Sequence, residues 1–140
     1  MRLQRKDQRF TLSVLPDRYS ICRLSAPEPV PLWALQGAFA CVTRTSSEWS
    51  VVCETAFVPA KVQEERGWRV LGVEGPLDFG LIGVIAQLAS QLADAAISTF
   101  VISTYETDYL LVREVDLGRA VEALRAAGHR IEDPHRYAGW

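Results

Sequence analysis

The sequence predicts an α+β fold in which antiparallel sheet carries helices on one face, with the pattern written twice along the chain. Three observations carry this. Short β-rich runs alternate with two apolar stretches at helical spacing. A segment near residue 48 returns near residue 108. The length, 140 residues, holds one compact domain or two very small ones sharing a core. In the repeat, Glu48-Trp49-Ser50-Val51-Val52-Cys53-Glu54 aligns with Asp108-Tyr109-Leu110-Leu111-Val112-Arg113-Glu114, and Val42-Thr43 falls on Ile102-Ser103. Residues 19–24 match 68–73 only at a shorter offset, so the first copy lacks about three turns of helix between its first two strands. Each copy reads β-α-β-β-α with right-handed βαβ connections. A half-length copy cannot bury its sheet face alone, so the two sheets or helix layers are expected to pack on each other or on a second chain.

In chain order, residues 1–9 read as a loose arm. Residues 10–15 alternate weakly and make a short strand ended by Pro16-Asp17. Residues 19–24 alternate better and make the next. Three prolines within 25–31 exclude regular structure, and 32–36 has room for a helical turn or two before Gly37. Residues 39–45 and 49–53 form a hairpin around Ser46-Ser47-Glu48. Pro59 opens a connection. The charged stretch 61–67 reads as a linker and places the internal boundary, giving an N-terminal unit over 1–64 and a C-terminal unit over 65–140.

Residues 68–73 are a strand. Leu81, Ile82, Val84, Ile85, Leu88, Ala89, Leu92 and Ala93 then recur at helical spacing, with Asp78 as the natural N-cap. Residues 97–103 and 109–114 are strands. Asp116 caps a last helix whose Leu117, Ala120, Val121 and Leu124 face one way, and Gly128 stands where a C-terminal glycine belongs. Arg130-Ile131 adds an edge strand, and 134–140 reads as a tail.

Composition narrows the function. A net charge of −2 leaves no electrostatic footprint for nucleic acid. No apolar run is long enough to span a bilayer, and the charged start MRLQRKDQRF lacks the apolar stretch of a secretory signal, so a cytoplasmic setting is expected. Cys22, Cys41 and Cys53 fall in strand runs without Cys-x-x-Cys spacing. They read as reduced core hydrophobes, and neither a metal nor another cofactor is expected. The two histidines, His129 and His135, lack paired-ligand spacing, and His129 reads as a surface residue at a helix end. No nucleophile has an evident base, and the glycine-rich stretch 75–80 lacks the lysine of a phosphate loop. An enzyme is not expected.

The stretch 68–114 organises the chain. A strand stops at Gly75-Pro76 and hands over to a helix, leaving free backbone N–H groups at the positive end of the helix dipole. Those groups can hold an anion such as a carboxylate.

Together with VPLWAL, FACVTRTSSEWSVVCE, FVPA and GWRVLGVEGPLDF, the segment GPLDFGLIGVIAQLASQLADAAISTFVISTYETDYLLVRE resembles the tandem ACT-domain proteins of bacteria. It is also similar to the ACT modules of the CASTOR-type arginine sensors of animals. The likeness runs from residue 12 to 131. It implies a pair of ferredoxin-like ACT units, the first with a shortened helix. It further implies binding of an amino acid or similar metabolite at an interface between units, or a role in assembly alone. Carried over position by position, the implied site is Asp78, Phe79, Gly80 and Gly83 in the loop, with Thr104, Tyr105 and Asp108 near the turn. The animal sensors hold two such tandem halves in one chain and this chain holds one, so a homodimer is expected to complete the site. The first-copy counterparts, Arg44, Thr45 and Glu48, lack the glycine loop and make a degenerate site.

The chemistry fits an α-amino acid. Its carboxylate takes backbone N–H donors from 79–83, where Gly80 and Gly83 permit close approach. Its ammonium takes Asp108 in preference to Asp78, which as a cap is already accepting hydrogen bonds. Thr104 and Tyr105 close the pocket. Each residue also has a plainer role. Asp78 is a helix cap first, Gly80 and Gly83 serve tight helix-to-sheet packing, Asp108 suits a hairpin turn, and Thr104 and Tyr105 suit a strand end. The expected function is a non-catalytic small-molecule sensor. A ligand-free interaction module is the alternative.

Overall fold

The computed structural model describes residues 8–26, 28–77 and 82–133. Among them the strands are β1 (Thr11–Val14), β2 (Tyr19–Ser25), β3 (Cys41–Arg44), β4 (Glu48–Glu54), β5 (Gln63–Val73), β6 (Thr99–Ser103), β7 (Asp108–Arg113) and β8 (Arg130–Glu132). The helices are α1 (Val84–Asp94) and α2 (Leu117–Ala126). No helix among the described residues is long and apolar enough to cross a membrane.

All the strands join one sheet, and β5 is its shared member. The first part of β5 pairs antiparallel with β2, from Gln63 opposite Arg23 to Trp68 opposite Tyr19. Its last residues pair with β1, Leu71 opposite Val14 and Val73 opposite Leu12. β7 runs antiparallel along the other edge. The sequence repeat is visible as topology: β3-β4-β2 and β6-β7-β5 have the same strand order. β1 joins the second half, parallel to β8 and antiparallel to β5. Where the second half has α1, the first has a 3-10 turn over Leu32–Leu35.

One face of the second half is covered by α1 and α2. Val84, Leu88 and Leu92 from α1 and Leu117, Ala120, Val121 and Leu124 from α2 pack on Leu12, Leu71, Leu110 and Val112. The opposite face carries Tyr19, Val52, Trp68, Val70, Ile102 and Leu111 from both halves. Phe39 bridges them there, its ring edge-on to Tyr19 at 5.8 Å and 4.6 Å from Tyr109. Cys22 and Cys53 are buried beside Ala34 and Val51 under the 3-10 turn. A hydrogen bond with Cys53, then burial, pushes the Cys22 thiol well above its ordinary range, which suits a packing role.

Several expectations need correction. The stretch 61–67 is not a linker, since β5 starts at Gln63 and runs eleven residues. Its charges sit on a strand held by backbone pairing to β2; Arg66 pairs with Glu64 at 3.2 Å within the stretch, and Glu65 pairs across to Arg113 of β7 at 3.7 Å. The helix expected from Asp78 begins at Val84, Gly83 occupies its N-cap, and Ile82 is exposed; Asp78 itself lies outside the described residues. Asp116 occupies the N-cap of α2 without a capping hydrogen bond; its carboxylate takes Arg119 at 2.8 Å instead. His129 is buried rather than on the surface. Its Nδ1 accepts the Phe10 N–H at 3.1 Å, and its Nε2 faces Gln91 Oε1 at 2.7 Å.

Gly37 has φ +89°, and an added Cβ would run into the Glu54 carboxylate that accepts the Ala38 N–H at 2.9 Å. Gly37→Ala is therefore expected to destabilise by about 1–2 kcal/mol from the backbone alone. The urea midpoint should fall with the slope unchanged.

Candidate functional site

The α1 start and the β6–β7 turn line one depression of about 360 Å³. Leu77, Gly83, Val84, Ile85 and Ala86 come from the helix side, and residues 103–108 from the turn. Gly83 adopts φ 79° and ψ 22°, a left-handed conformation that glycine enters without a steric penalty. Its carbonyl accepts the first bond of α1, from the Gln87 N–H at 2.8 Å. The amides of Val84, Ile85 and Ala86 precede that bond and have no acceptor within the helix. No acidic side chain stands in the first turn of α1 to occupy them, and Gly83 has no side chain to cap them.

The turn arises because β6 and β7 pair in register, Ser103 opposite Asp108, with a polar segment between. The Ser103 hydroxyl donates to Asp108 Oδ1 at 2.6 Å, orienting a half-buried carboxylate. The Thr104 N–H donates to the Thr107 carbonyl at 2.8 Å and closes the turn. Tyr105 stands out from it, 81% exposed.

Of the residues singled out in the sequence, Gly83, Thr104, Tyr105 and Asp108 come together here. Asp78, Phe79 and Gly80 lie outside the described residues. Ser103, Glu106, Thr107 and Leu77 also line the depression and were not anticipated as site residues. Ser103 was within reach of sequence reasoning, because counting the hairpin outward from the turn sets it opposite Asp108. Leu77 was not, since its place depends on a hydrogen bond across the fold.

Chemically, the depression offers the amides at the positive end of a helix, which have no acceptor within that helix, and an oriented carboxylate. Amides of that kind favour an anionic group, and the carboxylate a cationic one.

Residues 63–126 match the ACT domain family, and residues 17–61 match a second family described as an N-terminal domain. The crystal structure of protein Atu0741 from Agobacterium tumefaciens superposes with a TM-score of 0.87 at 38% identity, covering 93% of this chain and 97% of that one. The human cytosolic arginine sensor for mTORC1 subunit 1 is 42% identical over 59 residues, 41% of this chain and 18% of the sensor. The mouse sensor is 39% identical over 70 residues, 48% of this chain and 21% of the sensor. The matched stretch is thus about a fifth of those sensors' length. Aspartate kinase from Clostridium acetobutylicum shares the fold at a TM-score of 0.64 and 12% identity, covering 83% of this chain and 34% of the kinase. With a matched ACT profile, a full-length relative at this identity and a sheet that repeats one strand order, the chain belongs to the ACT-domain family.

Proposed function

We propose that the protein is a non-catalytic regulatory ACT protein that binds an amino acid where α1 begins against the β6–β7 turn. One observation carries the reading: the first turn of α1, whose amides have no acceptor within the helix, and Asp108 line the same depression. The ligand carboxylate sits on the amides and its ammonium on Asp108, with Thr104 and Tyr105 at the rim; Asp78, Phe79 and Gly80 are kept as further ligand contacts. The likeness to arginine sensors supports an amino acid as the ligand class. Two ACT units, 1–64 and 65–140, are kept in this reading, and the matches over 17–61 and 63–126 support a division there. The first unit lends β1 to the sheet of the second. A second copy of the chain completes the site in the cytoplasm, and ligand favours one packing of the units by binding it more tightly than the other.

Thermal shift against the twenty amino acids tests this. A ligand at 100 times its Kd should stabilise by ~2.7 kcal/mol and raise Tm by several degrees. One or a few chemically related hits are expected. Twenty flat traces would remove the amino-acid reading.

Exposed Val101 on β6, which pairs only with β7 among the described strands, favours a second reading, assembly without ligand, in which sheet edges of two copies pair. A stable dimer whose Tm ignores every amino acid would favour it over the sensor.

A further inference from the structure

An amino acid bridging α1 and Asp108 needs those two groups at a fixed separation, and the turn that bears Asp108 is tied to the segment leaving β5. The turn 104–107 is closed on itself. Besides the bond from the Thr104 N–H, the Thr104 hydroxyl donates to the Thr107 carbonyl at 3.1 Å, and the Thr107 N–H donates to the Thr104 hydroxyl at 3.3 Å. This closed turn is then tied at two points to the segment leaving β5. The Thr107 hydroxyl donates to the Val73 carbonyl at 2.5 Å, and the Leu77 N–H donates to the Glu106 carbonyl at 2.7 Å.

Gly75 lies between the ties. A Cβ there would meet the Glu106 carbonyl oxygen at 3.0 Å and the Thr107 Cβ at 3.1 Å, so the two segments are in close contact. Val73 is 2% exposed and anchored in the sheet opposite Leu12, so the Thr107 hydroxyl is fastened to a rigid point. Thr107 immediately precedes Asp108, and Leu77 shares the depression with Gly83.

We infer that Thr107 is a positioning residue of the site: its hydroxyl locks the turn bearing Asp108 to the segment that leads from β5 towards α1, and so pre-sets the spacing between the two ligand-binding ends. This rests on the amino-acid reading above. Thr107 need not touch the ligand. Its contribution is preorganisation, which lowers the ordering cost of binding.

The test uses Thr107→Val, which keeps the shape and removes the donor, and Thr107→Ser, which keeps the donor. Two readouts are taken: amide hydrogen exchange in the unliganded protein, and calorimetric affinity for L-arginine and the other nineteen amino acids. In Thr107→Val the Leu77 amide should exchange about tenfold faster while the β7 amides of Leu110 and Leu111 stay protected. Affinity should fall about tenfold, the scale of one lost hydrogen bond. Thr107→Ser should stay within about twofold of wild type in both.

Unchanged Leu77 exchange in Thr107→Val overturns the lock. Faster exchange with unchanged affinity leaves a structural tie and overturns the positioning role. A wild-type protein that binds none of the twenty overturns the amino-acid reading and the positioning role with it. That failure is told apart from the first because the Leu77 readout needs no ligand.

Discussion

Asp108→Ala is expected to weaken amino-acid binding by about two orders of magnitude while the protein stays folded. A hydrogen bond between charged partners contributes about 1.5–3 kcal/mol, and each 1.4 kcal/mol is tenfold in affinity. The upper part of that range applies because the carboxylate is half-buried and already oriented. Ser103 holds Oδ1 at 2.6 Å, which leaves Oδ2 to meet the ammonium. The fold should survive, because Asp108 opens β7 at the end of a hairpin and belongs to no core cluster, whereas Leu110 and Val112 further along are wholly buried. Asp108→Asn separates charge from shape. It keeps an acceptor for Ser103 and loses the negative charge, so about a tenfold loss is expected. Ser103→Ala should cost only a few-fold, since it loosens the carboxylate without removing it. Calorimetry on the ligand found by thermal shift reads all three. An Asp108→Ala affinity equal to wild type would take Asp108 out of the site.

What the sequence disclosed depended on whether a role was local. α2 was legible residue by residue, and Leu117, Ala120, Val121 and Leu124 are buried as their spacing requires. Nothing interrupts its period, and Gly128 ends it at φ +102°. For α1 the same period continued backward through Ile82, so the helix start was set too early. Periodicity counts residue types, and the break comes from the backbone of Gly83. The start of β5 is hidden in the sequence for a related reason. Gln63, Glu65 and Arg66 look like a linker because their side chains are polar, yet the strand is held by main-chain bonds to β2 that no side chain announces. His129 reads as a surface residue because nothing near it in sequence covers it. The cover comes from Phe10, whose ring stacks at 5.6 Å, and from Gln91 of α1. The site divides in the same way. Thr104, Tyr105 and Asp108 were found because a polar segment between two apolar strands marks a turn. Leu77 and Thr107 take their roles from bonds across the fold.

The largest stability effect is expected at the least conspicuous strand. Residues 10–15 alternate only weakly in sequence, yet β1 lies between β5 and β8, and Leu12 is 0% exposed. Its register partners are Val73 on one side and Ile131 on the other, and all three belong to the core under α1 and α2. Leu12→Ala removes methylene groups from a site walled by sheet on both sides, where collapse is limited. A cost of about 2–5 kcal/mol is expected, equal to a Tm drop of roughly 10 °C for a chain of this size. Thr11→Ala, one residue away and pointing to the other face of the strand, should cost under about 1 kcal/mol. Hydrogen exchange separates this from a general loosening. β8 pairs only with β1 among the described strands, so its amides should lose protection first, while β4, paired to β2 and β3, should stay protected until global unfolding. If Leu12→Ala instead opened β3 and β4 before β8, β1 would be stabilising the first half of the chain, and its insertion beside β5 would not be what holds the second half together.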